Sequence, residues 1–440
     1  MGGGAMRRSR KRKLYKLQVA VALTTLIAIC TGFLVYTILD QTNSNSSSAP
    51  KRETVEQSKL SSEKAEASSK EAKSEPEEEK VTEEKDPESK EKVAQTLTSE
   101  DSVEQKVEAI MTEMTLQEKI GQMMVVGFNS KSIDDHITKM IKEYHVGGVI
   151  LFDRNMETQE QVASLNEDLQ QLSKGANGLP LILSIDQEGG QIVRMRDQVS
   201  PIPSQQELGQ KNDPTAVYTT AQRTGKELLS MGFNVNFAPV LDLSATDSRS
   251  FGKDPKKVDT LGREVVAGMM DSGITTTLKH FPGNGRSDVD PHLETSSVEA
   301  NKLDLENSDI YPFKQMIKEE NNEQFFVMVT HIKYPAYDKE NPASISKVII
   351  NDLLKEQLGF KGLVVTDDLE MGAVNKYFTY EDLGEQATAA GADLLLVCHT
   401  LENQKAVFNG ILKAVQSKEL SEERIDDAVR KILTHKLSAE

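Results

Sequence analysis

Eight short apolar runs, at residues 123–128, 148–152, 181–185, 235–240, 274–278, 325–329, 362–365 and 393–397, recur along this 440-residue chain. Runs so short and so continuously apolar fit strands buried on both faces, the condition of strands in a parallel sheet. Stretches of helical period at 159–172, 216–230, 262–272, 309–320 and 349–356 separate them, and two more at 400–415 and 421–436 close the chain. Strands alternating with helices imply right-handed crossovers. Eight repeats point to an α/β fold, the (β/α)8 TIM-type barrel, over residues 101–440. A doubly wound open sheet is the alternative that pattern alone leaves. About 340 residues suits a single barrel with insertions.

The first hundred residues have a different composition. Residues 1–16 carry seven Arg or Lys and no acid, and read as a cytoplasmic tail. Residues 17–39 hold no charged group over 23 positions, and about 20 apolar residues suffice to cross a bilayer core. With the basic flank at Arg7–Lys13, the positive-inside rule leaves the N-terminus in the cytosol and exports the chain beyond Asp40. A cleaved signal peptide would have a shorter apolar core and a small-x-small site after it, so an uncleaved transmembrane anchor is expected. Residues 40–100 lack aromatic side chains and are dense in Glu, Lys and Ser. Such a segment buries too little apolar surface to offset ordering entropy and is expected to be a disordered tether. The net charge of −17 argues against a nucleic-acid partner. Cys30 and Cys398, the only cysteines, are too differently placed for a disulfide to support the fold.

In a closed barrel, chemistry belongs at the C-terminal ends of the strands. There the sequence places Asp186-Gln187-Glu188-Gly189-Gly190 after strand three, Asp242 after strand four and Lys279-His280 after strand five. Thr330-His331, Asp367-Asp368 and His399 come after strands six, seven and eight. One such residue is usually a loop-fixing group. Convergence of several on one rim repels or requires pairing, and points to a site. Asp186 reads as a group that binds a substrate hydroxyl. Glu188 reads as a pairing group, and the two glycines as a tight βα turn. Of Asp367 and Asp368 at most one faces the mouth squarely, as a carboxylate nucleophile; the other caps the next helix or orients a neighbour. The loop Lys279–His292 carries Asp290 and His292 two residues apart. An Asp beside a His holds its tautomer and raises its basicity, making a general acid/base. Zinc is the lesser reading, because no second ligand pair accompanies Asp290-x-His292. No metal or organic cofactor is implied.

Segments 186–194, 236–242, 249–252, 279–292 and 366–371, in this order and spacing, resemble glycoside hydrolase family 3, and specifically its β-N-acetylglucosaminidase branch. The resemblance implies a retaining two-step mechanism with Asp367 as nucleophile and His292 as acid/base, partnered by Asp290. It further implies that Asp186, Arg194, Arg249, Lys279 and His280 hold the sugar at the cleaved end. Asn284 stands where many relatives have His, and Pro291 where Ser or Thr is usual, stiffening that loop. A His acid/base also leaves phosphorolysis as a minor alternative.

An anchored enzyme facing outward would meet peptidoglycan fragments or other β-GlcNAc glycans, and these are the expected substrates. A monomer is expected. The competing readings are a relative acting on β-glucosides or β-xylosides, and a non-catalytic wall-sugar-binding protein. The absence of Trp, a usual stacking platform for sugars, weighs against the last.

Overall fold

The computed structural model describes residues 101–287 and 296–438. The expected tail (1–16), anchor (17–39) and tether (40–100) lie outside the described residues. Among the described residues no helix is long and apolar enough to cross a membrane.

Eight parallel strands form one sheet: β1 Met124–Val126, β2 Gly148–Ile150, β3 Ile182–Ile185, β4 Val235–Asn236, β5 Thr275–Phe281, β6 Phe325–Val329, β7 Val364–Thr366 and β8 Leu395–Val397. Each pairs with the next in sequence from β1 to β7, for example Gly148 with Ile182 and Val327 with Val364. β8 returns to β1, Met124 opposite Leu395, and a parallel bridge from Val365 to Leu394 joins β7 to β8. The sheet is therefore closed, and the open doubly wound alternative falls. Every residue of β1, β2, β3, β7 and β8 is buried, as strands must be when side chains fill the barrel on one face and helices cover the other.

The apolar runs mark these strands, several of them trimmed at their ends and one cut to two residues. The run 235–240 keeps regular pairing only over Val235–Asn236, and rejoins β5 at a bridge from Val240 to Lys279. Pro239, which has no N–H to give to a ladder, interrupts it. Helix boundaries differ more. The stretch expected at 262–272 is the end of a helix spanning Pro255–Met270, capped by Asp254 with Pro at its first turn. Its first turn carries Lys256 and Lys257, so hydrophobic period alone misses it; the Asp-Pro start signal carries it instead. The helix expected from 309 begins at Tyr311, and Asp309 instead accepts a hydrogen bond from Arg286 Nε at 2.8 Å. Val348–Gln357 is wound wide, with i→i+5 bonding.

Two short helices precede β1, Val103–Glu113 and Leu116–Gln122. Each has a reciprocal capping box, Ser102 with Gln105 and Thr115 with Glu118. The last helix, Glu422–Ser438, packs on both. A small antiparallel hairpin, Lys333–Tyr334 with Asp338–Pro342, is inserted after β6 on the side where the strands end.

Candidate active site

The polar residues at the strand ends meet. β5 is seven residues long, and its pairing with β6 shifts register between Leu278 and Phe281. Within that shift lies a cis peptide between Lys279 and His280. Bulged register re-aims side chains, and both of these consecutive residues find partners across the mouth. Lys279 Nζ lies 2.7 Å from Asp186 Oδ1 and 2.6 Å from Glu188 Oε1. Burial favours a neutral amine, but the two carboxylates outweigh it and hold the Lys279 pKa above its ordinary value.

Glu188 is buried and takes Arg249 in a fork, 2.7 Å to Nε and 2.8 Å to Nη2. Burial opposes its charge, yet Lys279 and Arg249 keep its carboxyl well below the usual range. Glu188 thus pairs and aims two cations, in line with its reading as a pairing group. The turn after it needs its glycines: Gly189 has φ 100°, and a Cβ there would sit 2.3 Å from the Pro203 carbonyl oxygen.

His280 Nδ1 is 2.7 Å from Asp242 Oδ2. Asp242 also accepts from the amides of His280, 3.2 Å, and Asn284, 2.7 Å. Burial raises the Asp242 pKa, but His280 and the two amides more than reverse this and leave it lowered. Facing a carboxylate, Nδ1 carries the proton, and Nε2 lies 3.5 Å from Arg249 Nη2. Arg194 approaches the same cluster from the loop after β3. Its guanidinium is 3.9 Å from Asp186 Oδ2 and 3.3 Å from Asp153 Oδ2, over the ring of Phe152. Its Nε is buried with no hydrogen-bond partner among the described residues.

Asp367, at the end of β7, completes the set. Its amide bonds to the Val329 carbonyl and so continues the ladder. Its Oδ1 accepts the Asp368 amide at 2.9 Å; Oδ2 has no hydrogen bond to any described residue. Burial would raise its pKa, but His280, His331, the Asp368 amide and Lys279 together hold it below the ordinary carboxylate value. Of these the amide and the ammonium persist at neutral pH whatever the histidines do. His331 itself is pushed down by burial. Its Nε2 lies 2.8 Å from the Asp368 carbonyl, which only accepts, so that nitrogen is the protonated one; Nδ1 meets Ser344 Oγ at 2.7 Å.

Asp186, Arg194, Arg249, Lys279 and His280 are therefore one connected network, and Asp367 lies within electrostatic reach of its Lys279 and His280. Asp290 and His292 lie outside the described residues. The sequence marks Asp242 and His331 at strand ends without showing their work, carries Asn236 only inside a resembling segment with no role, and leaves Asp153 unmarked. Asn236, whose side chain bonds both backbone groups of Gln187 at 2.9 and 3.0 Å, is legible as a polar residue inside an apolar run. Asp153 is not, because its contact with Arg194 depends on how two loops fold. Among the described residues no group of three His, Cys, Asp or Glu side chains is arranged to hold a metal ion.

What the constellation offers is an ionised carboxylate with one oxygen held and the other available, beside cations that donate fixed hydrogen bonds. That suits attack on an electron-poor carbon of a polyhydroxylated ligand.

Comparison with known proteins agrees. The model of the glycosyl hydrolase family 3 N-terminal domain matches residues 115–435. A β-hexosaminidase of Nitrosomonas eutropha is 36% identical over 265 residues, 58% of this chain and 74% of its own. One from Haemophilus influenzae is 32% identical over 296 residues, 66% of this chain and 82% of its own. The solved structure of a family 3 β-N-acetylglucosaminidase from a Paenibacillus species aligns with a TM-score of 0.72 at 39% identity. That alignment covers 74% of this chain, which spans 63% of the Paenibacillus one. The β-N-acetylhexosaminidase of Beutenbergia cavernae aligns at a TM-score of 0.68 and 30% identity, over 73% of this chain and 98% of its own.

Proposed function

The chain belongs to glycoside hydrolase family 3, and from that premise we propose that it is an exo-acting, retaining β-N-acetylglucosaminidase. The observation that carries this reading is Asp367: ionised, with one oxygen fixed by the Asp368 amide and the other unbonded among the described residues. The sugar preference is supported by the relatives, whose names are those of β-hexosaminidases and β-N-acetylglucosaminidases.

Asp367 attacks the anomeric carbon, the glycosidic C–O bond breaks, and the leaving oxygen takes a proton from His292. The product of this step is a glycosyl ester on Asp367. Water then attacks the same carbon, gives its proton to His292 and releases Asp367 as carboxylate, so configuration is retained. Asp290 orients His292. Both assignments rest on the family resemblance. A histidine in this role departs from the usual two carboxyl groups, ~5–5.5 Å apart, of retaining enzymes. Lys279, Arg249 and Arg194, set by Glu188, Asp186 and Asp153, donate to the sugar and strengthen as charge develops at the ring. Preset donors of this kind lower the barrier because they need no reorganisation in the transition state.

We place the enzyme outside the cell on the anchor at 17–39, acting on GlcNAc-β-1,4-MurNAc fragments of peptidoglycan. The test is hydrolysis of p-nitrophenyl β-N-acetylglucosaminide and of the β-glucoside by the full-length protein, with and without phosphate. Preference for the N-acetyl sugar, unchanged by phosphate, is expected. Preference for the glucoside would overturn the substrate, phosphate dependence would overturn hydrolysis, and no cleavage of either would favour a sugar-binding protein.

A further inference from the structure

Asp368 stands next to the attacking carboxylate, and every polar atom it has is occupied. Its amide donates to Asp367 Oδ1 at 2.9 Å. Its carbonyl accepts from His331 Nε2 at 2.8 Å. Oδ1 accepts the Glu370 amide at 3.1 Å and the Cys398 amide at 3.2 Å. Oδ2 lies 3.2 Å from His399 Nε2.

These partners come from three directions. His331 belongs to the end of β6 and is itself braced by Ser344. Cys398 and His399 continue β8. Glu370 closes a turn onto Oδ1 and is tied in its own right to β8's extension through the amides of His399 and Thr400, and to the helix Leu401–Gln416 that follows through the side chain of Asn403. The His399 ring leans on Phe152, with centroids 5.4 Å apart, and the Arg194 guanidinium lies over that same Phe152 ring. Asp368 is thus bolted to both neighbouring strands, and its amide direction is fixed by them.

We propose that Asp368 is the positioning residue of this active site: by clamping the chain after β7 to β6 and β8, it aims its amide at Asp367 Oδ1 and holds the attacking oxygen in line. It touches neither sugar nor leaving group. The contribution is geometric, and a misplacement of about 1 Å at a reacting atom costs on the order of 100-fold in rate. Sugar binding does not pass through it directly: its hydrogen-bond and ion-pair partners include none of Asp186, Arg194, Lys279, Arg249 and Glu188, and its one link to a sugar donor is the ring contact from His399 through Phe152 to Arg194. This inference rests on Asp367 being the nucleophile.

Three variants of the full-length protein separate the possibilities. Asp368→Asn removes the charge but keeps an oxygen for the Glu370 and Cys398 amides. Asp368→Ala removes both. Asp367→Ala reports on the nucleophile alone. With p-nitrophenyl β-N-acetylglucosaminide, Asp368→Ala should lower kcat about 100-fold with KM within about 3-fold of wild type. Asp368→Asn should stay within about 5-fold of wild type in both. If the alanine variant does not fold, Asp368→Ser takes its place, its hydroxyl being too short to reach both amides. Equal losses in the asparagine and the truncated variant would mean that charge, not position, matters. Wild-type kcat in the truncated variant, or a rise in KM alone, would also overturn the proposal. Should Asp367→Ala remain active, the nucleophile assignment falls; should it be inactive while the truncated Asp368 variant is unimpaired, only the positioning role falls.

Discussion

The two ends of this barrel both gather charge, and they use it differently. At the floor, Asp393 lies fully buried just before β8. It accepts Lys355 at 3.0 and 3.1 Å, Arg424 at 2.8 Å and the Val364 amide at 3.1 Å, with Lys431 at 3.8 Å. Burial opposes its charge, but the three cations win and its pKa is lowered. Both of its oxygens are saturated. At the mouth Asp186, Glu188 and Asp242 are likewise paired, but Asp367 keeps one oxygen without a hydrogen bond to any described residue. Saturation at the floor ties the last helix and the Val348–Gln357 helix to β8. Incomplete saturation at the mouth leaves a group that can react. The same ion pairing that is cohesive in one place is, one bond short, chemistry in the other.

The contrast is sharpest for the two aspartates themselves. Asp367→Ala should lower kcat/KM by about 10⁴-fold or more while leaving the thermal midpoint within a few degrees, measured by aryl-glycoside hydrolysis beside a melting curve. Asp393→Ala should do the reverse. It strands Lys355 and Arg424 without their carboxylate and should cost about 3–5 kcal/mol in urea unfolding, with kcat per folded molecule unchanged. A large loss of kcat in folded Asp393→Ala would break the division between the two ends.

The smallest expected effect concerns a cation at the floor that has no acidic partner among the described residues. Lys436 is buried, its Nζ donates to Gln122 Oε1 at 2.8 Å, and burial alone pushes its pKa down to about 7. Its folded pKa lies below the unfolded value, so between these two values the unfolded chain binds the proton more readily. Stability is therefore reduced below about pH 7 and recovers as pH rises toward the ordinary lysine range. Lys436→Met should stabilise the protein by about 2 kcal/mol at pH 7, with the advantage over wild type fading by pH 10. Loss of the hydrogen bond to Gln122 trims the gain. Paired urea titrations at the two pH values check the sign; a gain that does not shrink with pH would remove the buried charge as its cause.

The mouth is more legible in the sequence than the floor, for a physical reason. Strands buried on both faces are written as apolar runs, so a charged residue directly after one, such as Asp186, Lys279 or Asp367, stands out. Asp393 is written at the front of an apolar run and reads as part of the strand. Its partners Lys355, Arg424 and Lys431 lie on helices where a lysine or arginine ordinarily means a solvated face, and nothing local says they turn inward. Arg249 and Arg194 are named by the family resemblance, but which carboxylates they pair with is not. Glu188 reads as a pairing group without its cations, and Asp153 requires the fold of two loops. Helix starts are lost where caps, not hydrophobic period, carry the signal, as at Asp254-Pro255.

The closure of the barrel also sets an order in time. β8 is the last strand of the sheet, and its extension supplies Cys398 and His399, two of the partners that fix Asp368. A chain emerging from the ribosome through β7 already carries the residues that grip a sugar, and Asp367 as well. It lacks the strand against which the segment after Asp367 is set. The reactive geometry is therefore among the final things that synthesis supplies: the chain carries its sugar-gripping residues before it carries the strand that sets the attacking aspartate.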